Sequence, residues 1–364
     1  MASAGTKRVL VAPLNWGLGH ASRCIPLIRK LLERSVDVVL AADGRPHEFL
    51  RNEFPGLELH RLPDIAIRYD AASSMLASMV RQLPDIVSTY VHERRHIERI
   101  VKEWRIGGII SDNRFGLFTR SVPCVYMTHQ IMIMAPPAFA RFEPLLRRMH
   151  ARIIERYDEC WIPDCAGDVN LSGALSHGAP LPKNAVYIGP LSRFTRAAPA
   201  APAYDVAVVL SGPEPQRTIF EELLRTQLRG TALRACIVQG IPEGRDVHQN
   251  GDTVEIVSSM NADALYSLLA SSNVVISRSG YSSIMDIATL GARAVFVPTP
   301  GQTEQEYLAS RLREMHMYYS EDQGTFDLRR ALEQSRAFSG STLDMPRTDL
   351  LDRRIDHFLT MITT

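Results

Sequence analysis

The stretch Val274-Val275-Ile276-Ser277-Arg278-Ser279-Gly280-Tyr281-Ser282-Ser283-Ile284-Met285-Asp286-Ile287-Ala288 joins an apolar run, a polar glycine turn and a second apolar segment. The run reads as a buried strand and the segment as a helix. Hydroxyls and backbone N–H groups at a helix start suit a phosphate group, and Ser279, Gly280, Ser282 and Ser283 supply them. Asp286 follows about one turn into the helix, where a carboxylate can take both hydroxyls of a ribose. A further strand delivers the polar loop Pro298–Glu306, whose side chains can hydrogen-bond a sugar. A helix N-cap followed by a surface loop accounts for one of these features but not for their order.

The strand-turn-helix rhythm extends in both directions. After residue 204, Asp205–Ser211, Ala232–Gln239, Thr253–Val257, Asn273–Ser277 and Ala294–Val297 read as strands, with helices at Arg217–Leu228, Ala262–Ala270 and Ser282–Leu290. Before residue 193, strands are expected at Lys7–Pro13, Val36–Ala42, Gly107–Ser111 and Cys124–Thr128, with helices at Ser22–Glu33, Pro46–Phe54 and His92–Trp104. Between the halves, Arg193–Ala203 has the composition of a linker and no hydrophobic period. The alternation predicts an α/β fold of two doubly wound, Rossmann-like domains, with ligands bound in the cleft at the strand ends. The expected divisions are 1–192, a linker at 193–204, 205–345, and a last helix at 346–364. That helix carries Leu350, Leu351, Ile355, Phe358 and Leu359 on one face, so it can cross back to the first domain.

Bulk properties agree with an ordinary folded chain. The 364 residues are 45% hydrophobic and 22% charged, with a formal net charge of +1 that gives no reason to expect nucleic-acid binding. The five cysteines are scattered, which predicts reduced thiols in a cytoplasm. Neither a signal peptide nor a membrane-spanning run is expected. No Asp-x-Asp triplet of the kind that metal-dependent sugar transfer uses is present, so neither a metal nor another cofactor is expected.

Two further turns can hold ligands. In Asn15-Trp16-Gly17-Leu18-Gly19-His20, Gly17 and Gly19 let backbone approach a ligand, and His20 at the mouth of the turn has a reference pKa suited to a general base. Helix capping is the alternative role for that histidine. In Ser211-Gly212-Pro213-Glu214-Pro215-Gln216-Arg217, Ser211, Gly212 and Arg217 can meet a diphosphate, although the two prolines remove N–H donors.

Together the three turns resemble family 28 glycosyltransferases, whose best-known member adds N-acetylglucosamine to a lipid-linked cell-wall precursor. Gly17-Leu18-Gly19-His20 looks like that family's N-terminal glycine-histidine loop. Ser277–Ala288, followed by Val295-Phe296-Val297-Pro298 and Gln302–Gln305, looks like its donor-binding signature. The resemblance implies the GT-B architecture, with 1–192 on the acceptor side and 205–345 binding a UDP-sugar. It implies Ser279 and Gly280 at the diphosphate, Asp286 at the ribose, Glu304 and Gln305 at the hexose, and Met260 in the segment that reads the base. Inversion of configuration follows from the same likeness. Asp286 stands where the family usually has glutamate, which shortens the reach. Gly17–Cys24 is also similar to UDP-sugar hydrolases of pseudaminic acid synthesis, in which water replaces the acceptor. A non-catalytic nucleotide-sugar-binding protein is the third reading.

On the acceptor side, Ser111-Asp112-Asn113-Arg114 and Thr128-His129-Gln130 end adjacent strands. Asp112 is expected to assist His20 or to act as base, Arg114 to hold an acceptor phosphate, and Asn113, His129 and Gln130 to face the cleft. In the leaving step, Arg217 or Arg278 would stabilise the diphosphate. The apolar Ile131–Phe142 loop, followed by Arg147, Arg148, Arg152 and Arg156, suggests docking on the inner face of an anionic cell membrane and a lipid or glycan acceptor. An interdomain packing helix with a solvated basic face is the plainer alternative.

Overall fold

The computed structural model describes residues 7–63, 75–135, 137–194, 201–242, 247–249, 253–338, 340 and 349–363. The middle of the expected linker and the first residues of the expected C-terminal segment lie outside these. In the first half, β1 (Arg8–Pro13), α1 (Leu18–Glu33), β2 (Asp37–Ala42), α2 (Gly44–Glu53), β3 (Glu58–Arg61), α3 (Met75–Glu103), β4 (Gly108–Asp112), β5 (Cys124–Met127), α4 (Glu143–Ile154), β6 (Glu159–Ile162) and β7 (Ala185–Tyr187) follow in order. The strands form one parallel sheet of order β3-β2-β1-β4-β5-β6-β7. Val9 to Ala12 are wholly buried, as expected of a strand covered on both faces.

The second half repeats the plan. It comprises β8 (Tyr204–Val209), α5 (Gln216–Leu228), β9 (Ala235–Val238), β10 (Val247–Gln249), β11 (Val254–Val257), α6 (Ala262–Ala270), β12 (Ser272–Ser277), α7 (Tyr281–Leu290), β13 (Ala294–Phe296), α8 (Thr303–Glu314), β14 (Tyr319–Ser320), α9 (Leu328–Gln334) and α10 (Leu350–Met361). Its sheet runs β10-β11-β9-β8-β12-β13-β14. All pairs are parallel except β10 with β11.

In each sheet the first strand pairs on one side with a strand that follows it after a long crossover, β4 in the first sheet and β12 in the second, which makes the point where strand order reverses. At that point of the first sheet, Pro13 is level with Asp112. In the second sheet Val209 is level with Ser277. All three glycine turns therefore leave from switch points.

One hydrophobic cluster spans both domains and includes Leu27 and Leu31 of α1, Ile284 and Met285 of α7, and Ile355 and Phe358 of α10. Helix α10 lies on the first domain. Asp352 pairs with Lys30 and Arg34 at 2.7 and 2.8 Å, and Phe358 packs edge-on to Trp161.

Helix α1 starts four residues earlier than its apolar period suggests. Gly17, at φ 75°, takes a left-handed conformation that costs little only for glycine, and the chain enters the helix at once. His20 therefore sits inside the first turn of α1 rather than in the loop before it.

Candidate functional site

The two sets of strand ends face one cleft. It is lined from the first domain by Trp16, Gly17, Gly19, His20, Arg23 and Asn113 among others, and from the second by Ser211, Gly212, Met260, Gly280, Ser282 and Asp286 among others. Two helix N-termini meet there. Neither Gly17 of α1 nor Gly280 of α7 supplies a side-chain cap, so the first N–H groups of both helices are left without helical partners. Such converging amide groups and helix dipoles favour an anion.

Beside the amides lies a buried polar chain. The His20 Nδ1 is 3.2 Å from the Asp112 Oδ1 and 3.0 Å from an Arg23 guanidinium nitrogen. Arg23 also donates from its Nε to the Asp112 Oδ2 at 2.7 Å and from a terminal nitrogen to Oδ1, a two-pronged pair with both side chains buried. Burial opposes ionisation of Asp112, but Arg23 and His20 outweigh it and hold the carboxyl well below the usual carboxylate range. Asp112 is thus an anchored carboxylate with no access to an acceptor, not a base in its own right. Burial lowers the His20 pKa and Arg23 adds to the effect, exceeding the upward pull of Asp112. The His20 Nδ1 thus faces a carboxylate that can only accept and a guanidinium that can only donate; in the tautomer that places Nδ1–H on Asp112, Nε2 is left as a proton acceptor.

The chain continues across the domains. Arg23 donates to the His129 Nδ1 at 2.8 Å, and the His129 Nε2 lies 2.9 Å from the Glu304 Oε1. His129 also stacks on Tyr281, with ring centroids 4.4 Å apart and planes within 2°. His129, expected at an acceptor, therefore bridges to Glu304 at the start of α8 in the second domain. Asn113 lines the cleft in a left-handed conformation at φ 62°, and its Oδ1 accepts from the Tyr126 hydroxyl at 2.8 Å. Gln130 also lines the cleft.

Other expected residues have different occupations. The Ser282 hydroxyl donates to the Gly19 carbonyl oxygen at 2.8 Å, and the buried Ser279 hydroxyl donates to the Gln305 carbonyl oxygen at 2.8 Å. Asp286 accepts from the Ser192 hydroxyl at 2.8 Å and from the Arg193 Nε at 2.9 Å. Burial raises its pKa despite these partners. Gln305 accepts the Thr299 N–H at 2.8 Å through Oε1, so its amide NH₂ remains at the lining.

Three arginines expected at ligands are not in the lining. Arg114 is buried and pairs with Glu93 at 2.7 Å. Arg217 pairs with Glu214 and Glu221 at 2.6 and 2.7 Å. Arg278 is wholly buried, donates to the carbonyls of Val297, Pro298 and Gln216 and to Gln323, and sits over the Phe220 ring. Apart from the buried Arg278 Nε, which has no partner among the described residues, the hydrogen bonds that the three make to these residues stay within their own domains, so the cationic diphosphate contacts expected from Arg217 and Arg278, and the acceptor-phosphate contact from Arg114, are corrected.

Conversely, Arg23, Arg193, Tyr281 and Trp16 line the cleft without having been singled out. Only Arg23 had a signal: it lies three residues after His20 on one helix, a spacing that puts both on one face. Among the described residues no group of three or more His, Cys, Asp or Glu side chains is placed to hold a metal ion.

The apolar loop also differs from expectation. Ile131 is buried and Met132, Ile133 and Met134 are half-buried. The exposed large apolar side chains stand at the end of that loop and beyond it, on Phe142, Leu145 and Met149, at 41%, 54% and 53%. Their spacing along α4 makes one stripe, and Arg147, Arg148 and Arg152 are exposed on the same helix. Among the described residues no helix is long and apolar enough to cross a membrane.

Residues 242–345 match the glycosyltransferase family 28 C-terminal domain. An uncharacterized glycosyltransferase of Methanopyrus kandleri is 22% identical over 78% of this chain and 83% of its own length. A glycosyltransferase of kitacinnamycin superposes with a TM-score of 0.65 at 16% identity, over 98% of this chain and all of the other. MurG of Acinetobacter baumannii gives 0.54 at 15% identity over 98% and 100%. The spinosyn rhamnosyltransferase SpnG, solved with thymidine diphosphate, gives 0.54 at 16% identity over 98% and 96%. These likenesses establish the GT-B fold.

Proposed function

For a glycosyltransferase with a family 28 C-terminal domain on the GT-B fold, we propose an inverting, metal-independent transfer of a hexose or N-acetylhexosamine. The donor would be a UDP-sugar and the acceptor a hydroxyl of a lipid-linked molecule or glycan. The observation that carries this reading is the meeting of His20 with the uncapped N-termini of α1 and α7 in one cleft. That meeting supports a proton acceptor and an anion cradle on two sides of the space a sugar would fill.

In the reaction, His20 takes the proton of the acceptor hydroxyl on Nε2, while its Nδ1–H stays on Asp112. The acceptor oxygen attacks the anomeric carbon. The bond from that carbon to the diphosphate oxygen breaks, and its electron pair leaves with the nucleoside diphosphate. Helix N-terminal amides receive the developing negative charge. Arg217 and Arg278 have no part in this step, because neither reaches the cleft. Asp112 acts through His20: it orients the ring and stabilises the imidazolium. Arg23 in turn secures Asp112.

The exposed stripe of Phe142, Leu145 and Met149 beside Arg147, Arg148 and Arg152 supports an anionic membrane surface as the place where a lipid-linked acceptor is met. An enzyme using water has no need of such a face, which favours transfer over hydrolysis. The test is nucleoside-diphosphate release from a panel of UDP-sugars with EDTA present, with and without an extracted bacterial lipid fraction. Release that depends on the lipid is expected. Equal release without lipid would indicate hydrolysis, and loss of release in EDTA would overturn metal independence.

A further inference from the structure

The hydrogen-bond roles of the two His129 ring nitrogens are set by their neighbours. Arg23 can only donate, and it lies 2.8 Å from Nδ1. Nδ1 is therefore an acceptor, the single ring proton sits on Nε2, and that N–H donates to the Glu304 Oε1 at 2.9 Å. Arg23 cannot turn away, because two of its nitrogens are tied to the wholly buried Asp112. The ring plane is fixed as well, by the stack on Tyr281 at the start of α7. The Tyr281 hydroxyl in turn donates to the Pro163 carbonyl of the first domain at 3.0 Å. A carboxylate on the C-terminal domain is thus aimed by a histidine of the N-terminal domain.

An N–H donor at Oε1 engages one oxygen of the carboxylate and leaves the other to a ligand. Among the described residues Oε2 of Glu304 accepts no hydrogen bond, and the side chain keeps 21% exposure at the cleft. Burial disfavours its ionisation, but His129, His20 and Arg23 outweigh this and hold its pKa low. Next to it, the Gln305 amide has its oxygen occupied by the Thr299 N–H and its NH₂ available. Acceptor and donor then stand side by side, the complement of two neighbouring sugar hydroxyls of which one donates and one accepts.

We propose that His129 is a positioning residue for donor-sugar recognition, which holds Glu304 across the domain boundary so that the sugar's hydroxyls are read only when both domains surround the donor. The proposal rests on the UDP-sugar reading above and assigns the N-terminal domain a part in selecting the donor, through Arg23 and His129. A nucleoside diphosphate without its sugar never meets Glu304, so its binding does not depend on His129.

The experiment compares the full chain with His129→Phe and His129→Gln. Phenylalanine retains the stack on Tyr281 but has no donor. Glutamine presents an N–H close to the position of the histidine Nε2. Calorimetry gives the affinities for UDP and for each of several UDP-sugars, and steady-state assays give KM and kcat for any sugar that is turned over. We expect His129→Phe to bind UDP within about twofold of wild type and to lose about 10- to 100-fold of the extra affinity for the UDP-sugar, as for one hydrogen bond to a charged group. His129→Gln should recover most of that loss. Wild type should also prefer a hydroxylated donor over its deoxy analogue, and His129→Phe should lose part of that preference. Unchanged UDP-sugar affinity in His129→Phe would overturn the proposal. So would an equal loss of UDP affinity, or a glutamine variant no better than phenylalanine. These are binding measurements, so a wild type that binds a UDP-sugar but transfers nothing would refute the transfer reaction and still test His129.

Discussion

The Ser282 hydroxyl of α7 donates to the Gly19 carbonyl oxygen of α1 at 2.8 Å, which joins the two helix N-termini that face the cleft. A Cβ on Gly19 would stand 3.3 Å from the Ser282 Oγ, tighter than an ordinary contact. Closure of the domains thus depends on a missing side chain on one partner and a small one on the other.

A double-mutant cycle reads this contact. Ser282→Ala should remove one interdomain hydrogen bond, worth about 1 kcal/mol. Gly19→Ala should raise the donor KM several-fold by pressing the helices apart. The double variant should be less impaired than the sum of the two, because the hydroxyl oxygen that the added methyl group would meet is gone. Strict additivity in KM and in unfolding free energy would show that the two positions do not communicate.

The pH dependence follows from His20. Its pKa is lowered from 6.5 by burial and by Arg23 beyond the upward pull of Asp112, and the reaction needs the unprotonated ring. Activity should therefore be level above pH 6.5 and fall on an acid limb that lies below that value. His20→Ala should lower kcat by about 10²- to 10⁴-fold, abolish the limb and leave UDP affinity unchanged. An acid limb centred above 6.5 would contradict the environment described for this histidine.

Acid stability should depend on His150, whose burial lowers its pKa from 6.5 to about 4. The unfolded chain takes up the proton first as pH falls. No penalty exists above pH 6.5; it grows between 6.5 and about 4, reaching on the order of 3 kcal/mol. His150→Gln should flatten the dependence of the urea midpoint on pH in that window by about one proton, at the expense of some stability at neutral pH.

Arg217 separates the structural reading from the sequence expectation. Its guanidinium is held between Glu214 and Glu221. Arg217→Ala should cost about 3 kcal/mol by breaking a largely buried ion pair, seen as a lower Tm. The donor KM should stay within about twofold. A large rise in KM with unchanged Tm would restore the arginine to the diphosphate site.

Surface docking is tested on α4. Changing Phe142, Leu145 and Met149 together to serine should reduce flotation with phosphatidylglycerol vesicles by at least about tenfold, since each side chain gains about 1.5–3 kcal/mol on full burial. High salt should weaken wild-type flotation by screening Arg147, Arg148 and Arg152. UDP affinity should not change. Retained flotation in the triple variant would remove the membrane from the proposed function.

Much of the fold was legible because strand burial and helix periodicity are properties of contiguous residues. Val274–Ala288 and Lys7–Pro13 declare strand, turn and helix by composition alone, and the repeated order implies parallel sheets with ligands at their switch points. The short-range chemistry of Gly17, Gly19, His20 and Gly280 was visible for the same reason. What a long side chain does was not. Arg114, Arg217 and Arg278 look from the sequence like phosphate ligands, yet a guanidinium reaches several ångströms and finds whatever acceptors the packed loops supply. Glu93, Glu221 and the carbonyls of Val297 and Pro298 are distant in sequence or too ordinary to notice. The chain Asp112–Arg23–His129–Glu304 joins residues up to 281 positions apart, as the numbers of Arg23 and Glu304 show. The sequence by itself determined two α/β domains, their glycine turns and the histidine between them, because local pattern dictates those. Only the tertiary structure decided which charged groups meet, because that depends on the closing of one domain upon the other.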